Sequence, residues 1–230
     1  MNKKVQALAV SGVLTVGVIG GTLAWFTSQD KMTNTFNTAS NSDNNGSGIK
    51  IIEEFKKPEN MLPGDNVNKD VQVSNITTYD QFIRVKLTPK FVEVTKDDSG
   101  NEVRKEIKEV NGTKLYTSKI ELNIVKKNVN ESKDRGTWFA GSDGYYYYMG
   151  KVAPDQFTNT LLDSVTLAND AGNEYRGLGF DVDVEAESIQ AKNDAYKDWI
   201  TVDGLKATFG ELQNQAAVNP TDTREPNEKN

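Results

Sequence analysis

Residues 180–187 read FDVDVEAE, a run in which apolar and acidic residues alternate without a break. Successive side chains of a strand point to opposite faces, so Phe180, Val182, Val184 and Ala186 are predicted to face a core. The four acids would then line the other face. Paired carboxylates also suggest a glycosidase or a metal site, but strict alternation is more typical of the solvent face of an antiparallel sheet. The run therefore predicts a half-buried β-strand.

The same two-residue period recurs along most of the chain, and turn residues such as Pro63-Gly64-Asp65 separate the runs. The other predicted strands include residues 71–73, 82–88, 91–94 and 120–125. A single short helix is predicted over 191–199. About eight short strands with almost no helix predict an all-β fold, a jelly-roll-like two-sheet antiparallel sandwich with few short helices.

Four consecutive tyrosines, Tyr145 to Tyr148, follow an Asp143-Gly144 turn. Alternation puts Tyr145 and Tyr147 on one face of a strand and Tyr146 and Tyr148 on the other. At most two of them could therefore face solvent. We favour a sandwich strand, and a surface on which a carbohydrate stacks stays open as the alternative.

Residues 1–24 are typical of a secretory signal peptide. Two lysines precede an apolar run over 5–19, and Thr22 and Ala24 are the small residues expected at positions −3 and −1. This pattern predicts cleavage between Ala24 and Trp25 and a secreted product, extracellular or at the cell surface. The alternative is an uncleaved membrane anchor, because the apolar segment is close to the roughly 20 residues that span a bilayer.

After this signal we predict a flexible leader over 25–48, a β-sandwich domain over 49–210 and a disordered polar tail over 211–230. The tail has too little apolar content to fold alone. The leader is polar apart from a few apolar anchors, and Gly46-Ser47-Gly48 separates it from the domain. Because it has little reason to bury itself in its own domain, we interpret it as a donor strand for the next copy of the chain. A disordered spacer is the alternative.

The candidate site residues all lie at or in this leader. The predicted donor-strand anchors, which share one face of an unbroken strand, are Phe26, Met32 and Phe36. Lys31 is a candidate for a covalent cross-link, since a desolvated lysine amine is a nucleophile that could condense with an Asn or Asp side chain.

The amino-acid composition limits the kinds of active site that this chain can form. The 230 residues contain no His and no Cys, which excludes a Ser-His-Asp triad, a Cys nucleophile, an HExxH zinc site and disulfides. A net charge of −6 argues against a basic surface for nucleic acid. We therefore expect no metal, no cofactor and no enzyme activity, with a carboxylate-based secreted hydrolase as one alternative.

Three regions together resemble the TasA/camelysin family of secreted biofilm-matrix proteins from Gram-positive bacteria. They are residues 20–27 with 34–36, residues 62–65 with 69–75, and residues 186–191 with Trp199. The resemblance implies a jelly-roll subunit, cut by a dedicated signal peptidase, that assembles into extracellular fibres with other copies of itself. Minor fibre or anchoring subunits would be further partners. The metalloprotease label that the family carries is discounted, because this chain has no His.

The function predicted from the sequence is therefore a pilus-like homopolymer, head to tail, built by donor-strand addition. A monomeric cell-surface module that binds polysaccharide or protein through the aromatic strand is the main alternative.

Overall fold

A computed structural model describes residues 27–33, 48–55 and 62–222 of the chain. This part forms twelve β-strands and two α-helices. The first six strands are β1 (Thr27–Thr33), β2 (Ile49–Phe55), β3 (Asn66–Asn75), β4 (Gln81–Lys96), β5 (Glu102–Glu106) and β6 (Glu109–Val110). The remaining elements are β7 (Thr113–Lys114), β8 (Ile120–Ile124), β9 (Trp138–Ala140), β10 (Tyr146–Tyr148), β11 (Leu162–Leu167), β12 (Gly179–Gln190), α1 (Tyr196–Trp199) and α2 (Leu205–Leu212).

The strands form two main antiparallel sheets. The first sheet has the order β1-β12-β4-β10-β9, with β5 beside β4, and the second has the order β2-β3-β11-β8. A small hairpin, β6 and β7, stands apart. The predicted all-β antiparallel sandwich is confirmed, whereas the jelly-roll connectivity stays a prediction.

The apolar core lies between the inner faces of the two sheets. Each sheet contributes alternate residues of its strands, for example Val71 and Val73 from β3 and Val182 and Val184 from β12. The core prediction for residues 180–187 is confirmed, since all four apolar residues are buried. The expectation for the opposite face is wrong at two positions: Asp181 and Glu187 are only 3% and 6% exposed.

A second apolar cluster covers part of the outer face of the first sheet. The segment after β12, including α1 and α2, packs there against Phe82, Tyr147 and Ile189. We call residues 191–212 the cap. A short helix was predicted over 191–199, and the helix α1 occupies the end of that range.

The predicted disorder of residues 211–230 is wrong for 211–222, and residues 223–230 lie outside the described part. Leu212 is buried in the cap cluster, Val218 donates its N–H to the Lys151 carbonyl, and the amides of Thr221 and Asp222 bond Asn159 Oδ1. Low apolar content did not prevent order because neighbouring loops provide the hydrogen-bond partners.

The structure describes only some of the residues to which the N-terminal predictions apply. Ala24, Trp25, Phe26 and Phe36 lie outside the described residues. Among those described, no helix is long and apolar enough to cross a membrane. The leader was expected to be flexible and separate from its own domain, but residues 27–33 form the strand β1 within the first sheet.

Candidate functional site: the β12 edge

The candidate site is the edge of β12 on which β1 lies. The two strands pair antiparallel from Thr27 opposite Ile189 to Thr33 opposite Asp183. Residues directly opposite in an antiparallel pair belong to the same face of the sheet. The inner-face position Val184 is thus opposite Met32, and the outer-face position Glu185 is opposite Lys31.

The other side of β12 is firmly held. It pairs with β4 without interruption from Gly179 opposite Val92 to Gln190 opposite Gln81. The long strand β4 also carries β10 and β5 on its far side. Since β12 is held by β4 along its whole length, its other edge, where β1 lies, is a preformed template for an extended segment.

Three of the four acids on the outer face of β12 form ion pairs with side chains of neighbouring strands. Arg104 of β5 donates from Nε and Nη2 to Asp181 Oδ1, at 3.0 and 2.7 Å. Lys90 Nζ lies 2.8 and 2.9 Å from the two carboxylate oxygens of Asp183. Burial raises the pKa of Asp181, and the hydrogen bond from Arg104 offsets only part of that rise.

The third ion pair, between Arg84 and Glu187, lies at the centre of an aromatic cluster. Arg84 Nη2 donates to Glu187 Oε2 at 2.6 Å, and its guanidinium carbon lies 4.2 Å from the ring centroid of Tyr145 and 4.7 Å from that of Trp199. Arg84 Nη1 also donates to the carbonyl of Trp199 at 2.8 Å. This arginine therefore links β4 and β12 to the cap.

The tyrosine strand is arranged as predicted, with alternate residues on opposite faces. Tyr145 and Tyr147 pack against the cap cluster, and Tyr146 and Tyr148 pack against the inner core. Tyr147 and Tyr148 have no exposed surface. The Tyr145 hydroxyl donates to Glu187 Oε1, and burial together with that carboxylate raises the pKa of Tyr145 to about 12. The geometry gives little support to an aromatic binding platform, since the cap covers the face that would form it.

The arrangement also gives little support to carboxylate catalysis. A general acid or base must reach a proton on the substrate, and these acids are mostly engaged by basic side chains within the sheet. In the described part of the chain, no group of three or more Asp or Glu side chains is placed to hold a metal ion.

The sequence predicted a donor strand in the leader but did not indicate the β12 edge, on which β1 lies. Met32 and Lys31 lie in β1, and the roles proposed for them stay predictions. The basic partners of the β12 acids were missed. A signal was present, since Arg84, Lys86 and Lys90 alternate along β4 with the same period as the acids along β12.

Comparison with known protein families finds one whose sequence model matches most of this chain. The sequence model of a family described as camelysin metallo-endopeptidase matches residues 1–193 of this chain. No curated protein and no solved structure matches it. The match ends just before α1, so most of the cap and all of the following segment lie beyond it.

Proposed function

The chain belongs to the camelysin metallo-endopeptidase family, and from this premise we propose that it is a secreted structural subunit of extracellular biofilm-matrix fibres. Copies of the chain join head to tail, and each donates its N-terminal segment to the sheet of the next. The other proposed partners are a dedicated signal peptidase, which cuts between Ala24 and Trp25, and minor or anchoring subunits.

The observation that carries this proposal is the position of β1. It is a seven-residue strand at the outer edge of the first sheet, and residues 34–48 connect it to β2 along the chain. Within the sheet it pairs with one neighbour, β12, and it also contacts β2 of the second sheet. The same pairing forms when the strand comes from another copy, so an identical element can be exchanged between subunits at low cost.

Exchange of β1 produces a chain of subunits rather than a closed pair. The donated strand and the β12 edge are different surfaces, so each copy keeps one of each available after joining a neighbour. Such a heterologous contact propagates unless its rotation closes a ring. The fibre would therefore have two unlike ends, one with a free strand and one with a free edge.

Electron microscopy of the secreted protein beside a version that starts at Ile49 tests the proposal. We expect fibres from the first and folded monomers from the second. Replacing Met32 and Phe36 by Asp should also prevent fibres and leave the domain folded, because burial of such side chains contributes about 1.5–3 kcal/mol each. Ser42→Asp, in the leader but outside the predicted strand, is the matched control. Normal fibres from the Met32/Phe36 variant would show that the contact lies on the domain itself.

The activity in the family's description does not fit the residues of this chain. Zinc proteases bind their metal through His with Asp or Glu, and this chain contains no His at all. Among the described residues, no cluster of three or more acidic side chains is placed to bind a metal ion instead of His. We therefore derive no hydrolytic step and propose a non-enzymatic role.

A further inference from the structure

Glu185 differs from its three acidic neighbours on the outer face of β12. Asp181, Asp183 and Glu187 each form an ion pair with a basic side chain. Among the side chains that the structure describes, none forms such a pair with Glu185, which is half-buried. Lys86 lies opposite Glu185 in the β4 register, but its Nζ lies 5.6 Å from the centroid of the Tyr145 ring.

The strand at the β12 edge supplies one basic residue at this position. The sequence of β1 is TSQDKMT, in which Lys31 is the only base, and the register places Lys31 opposite Glu185. Both positions belong to the outer face, where directly opposite charges of unlike sign stabilise an antiparallel pair.

We propose that Glu185 is the residue that selects the register and identity of the donated strand, by pairing with Lys31 of the copy that supplies it. This inference rests on the proposed function. A shift of one residue would move every side chain of the strand to the opposite face. A shift of two would put Lys31 opposite Asp183 or Glu187, whose carboxylates are already bound to Lys90 and Arg84. Only the observed register brings Lys31 to the acid that has no such partner.

Charge reversal followed by mixing tests the pair between chains. Lys31→Glu alone and Glu185→Lys alone each place like charges opposite each other, both within one chain, where β1 lies on its own β12 edge, and between copies of the same variant. An equimolar mixture of the two should polymerise at an about tenfold lower concentration than either variant alone, equivalent to about 1.4 kcal/mol, because only contacts between unlike copies restore opposite charges. In the mixture, the strand that carries Lys31→Glu lies on the edge that carries Glu185→Lys, and the unchanged Lys31 of the second variant meets the unchanged Glu185 of the first. The two variants should therefore alternate along the fibre.

Two controls accompany this experiment. Lys126→Glu and Glu121→Lys reverse exposed charges far from the β12 edge, and should leave polymerisation unchanged. Thermal melting of every variant checks the fold, because Glu185→Lys also introduces a positive charge opposite Lys86. A chain that carries both reversals should polymerise alone.

The outcomes separate this inference from the proposed function. A mixture that needs the same concentration as either variant alone would overturn the selection by Glu185 and leave the fibre role intact. Loss of polymerisation without recovery on mixing would also overturn it, since the pair would then not act between copies. Absence of fibres from the wild type would refute the fibre role.

Discussion

Replacing Phe209 by Ala should destabilise the whole domain, because Phe209 is the buried centre of the cap. It has no exposed surface, and its ring centroid lies 4.7 Å from that of Phe82 on β4 and 6.1 Å from that of Tyr147 on β10. Removal of a buried phenyl ring costs about 3–5 kcal/mol, which includes the lost transfer energy and the cavity left behind. A domain of this size unfolds at a cost of about 5–15 kcal/mol, so the change should remove a large share of its stability.

Urea unfolding followed by far-UV circular dichroism measures this loss. The midpoint should fall with little change in the slope, which reports the surface exposed on unfolding. Lys206→Ala, an exposed position of the same helix, is the control and should change stability by less than about 0.5 kcal/mol. A loss below about 1 kcal/mol for Phe209→Ala, or a separate early transition, would show that the cap is not part of one cooperative unit.

Four further predictions concern pH dependence, processing, catalysis and cross-linking. Burial raises the pKa of Asp181 above its ordinary 3.8, so the folded state binds the carboxyl proton more tightly than the unfolded state does. The free energy of unfolding should therefore decrease as pH rises from 3.8 through the folded-state pKa. Asp181→Asn should remove that part of the pH dependence, measured as urea midpoints across the pH range; an unchanged profile would contradict it. Mass spectrometry of the secreted protein should find Trp25 as its first residue, and a product that retains residues 1–23 would support an anchor. Purified protein should show no chelator-sensitive cleavage of casein; activity lost on substitution of one of its own acids would overturn this. If Lys31 forms a covalent cross-link, boiling fibres in denaturing detergent should leave a ladder of oligomers, whereas complete conversion to monomers would exclude it.

The inner face of the sandwich could be predicted from the sequence because it depends on local alternation. Val182 and Val184 are buried where the two-residue period places them. What covers the outer face depends on contacts between distant parts of the chain. Arg104, 77 residues before Asp181, and the cap, which follows β12, bury positions that alternation alone assigned to solvent.

The ends of the chain were harder to predict for a different reason. Composition predicted disorder for residues 211–222 because few of them are apolar, yet their order depends on individual hydrogen bonds to Asn159 and Lys151. The spaced apolar anchors drew attention to the leader, and the role predicted for them stays a prediction. These anchors did not indicate which sheet edge the strand occupies, because that edge depends on the strand order of the complete sheet.

The closed position of β1 within its own chain would have a kinetic consequence for the proposed assembly. A subunit whose strand already fills its own edge offers no open edge to collide with, so it can accumulate without premature aggregation. Growth of a fibre then requires the strand to detach first, which is a first-order event within one molecule. The elongation rate should therefore level off as subunit concentration rises, whereas for a subunit with a permanently open edge it would increase in proportion.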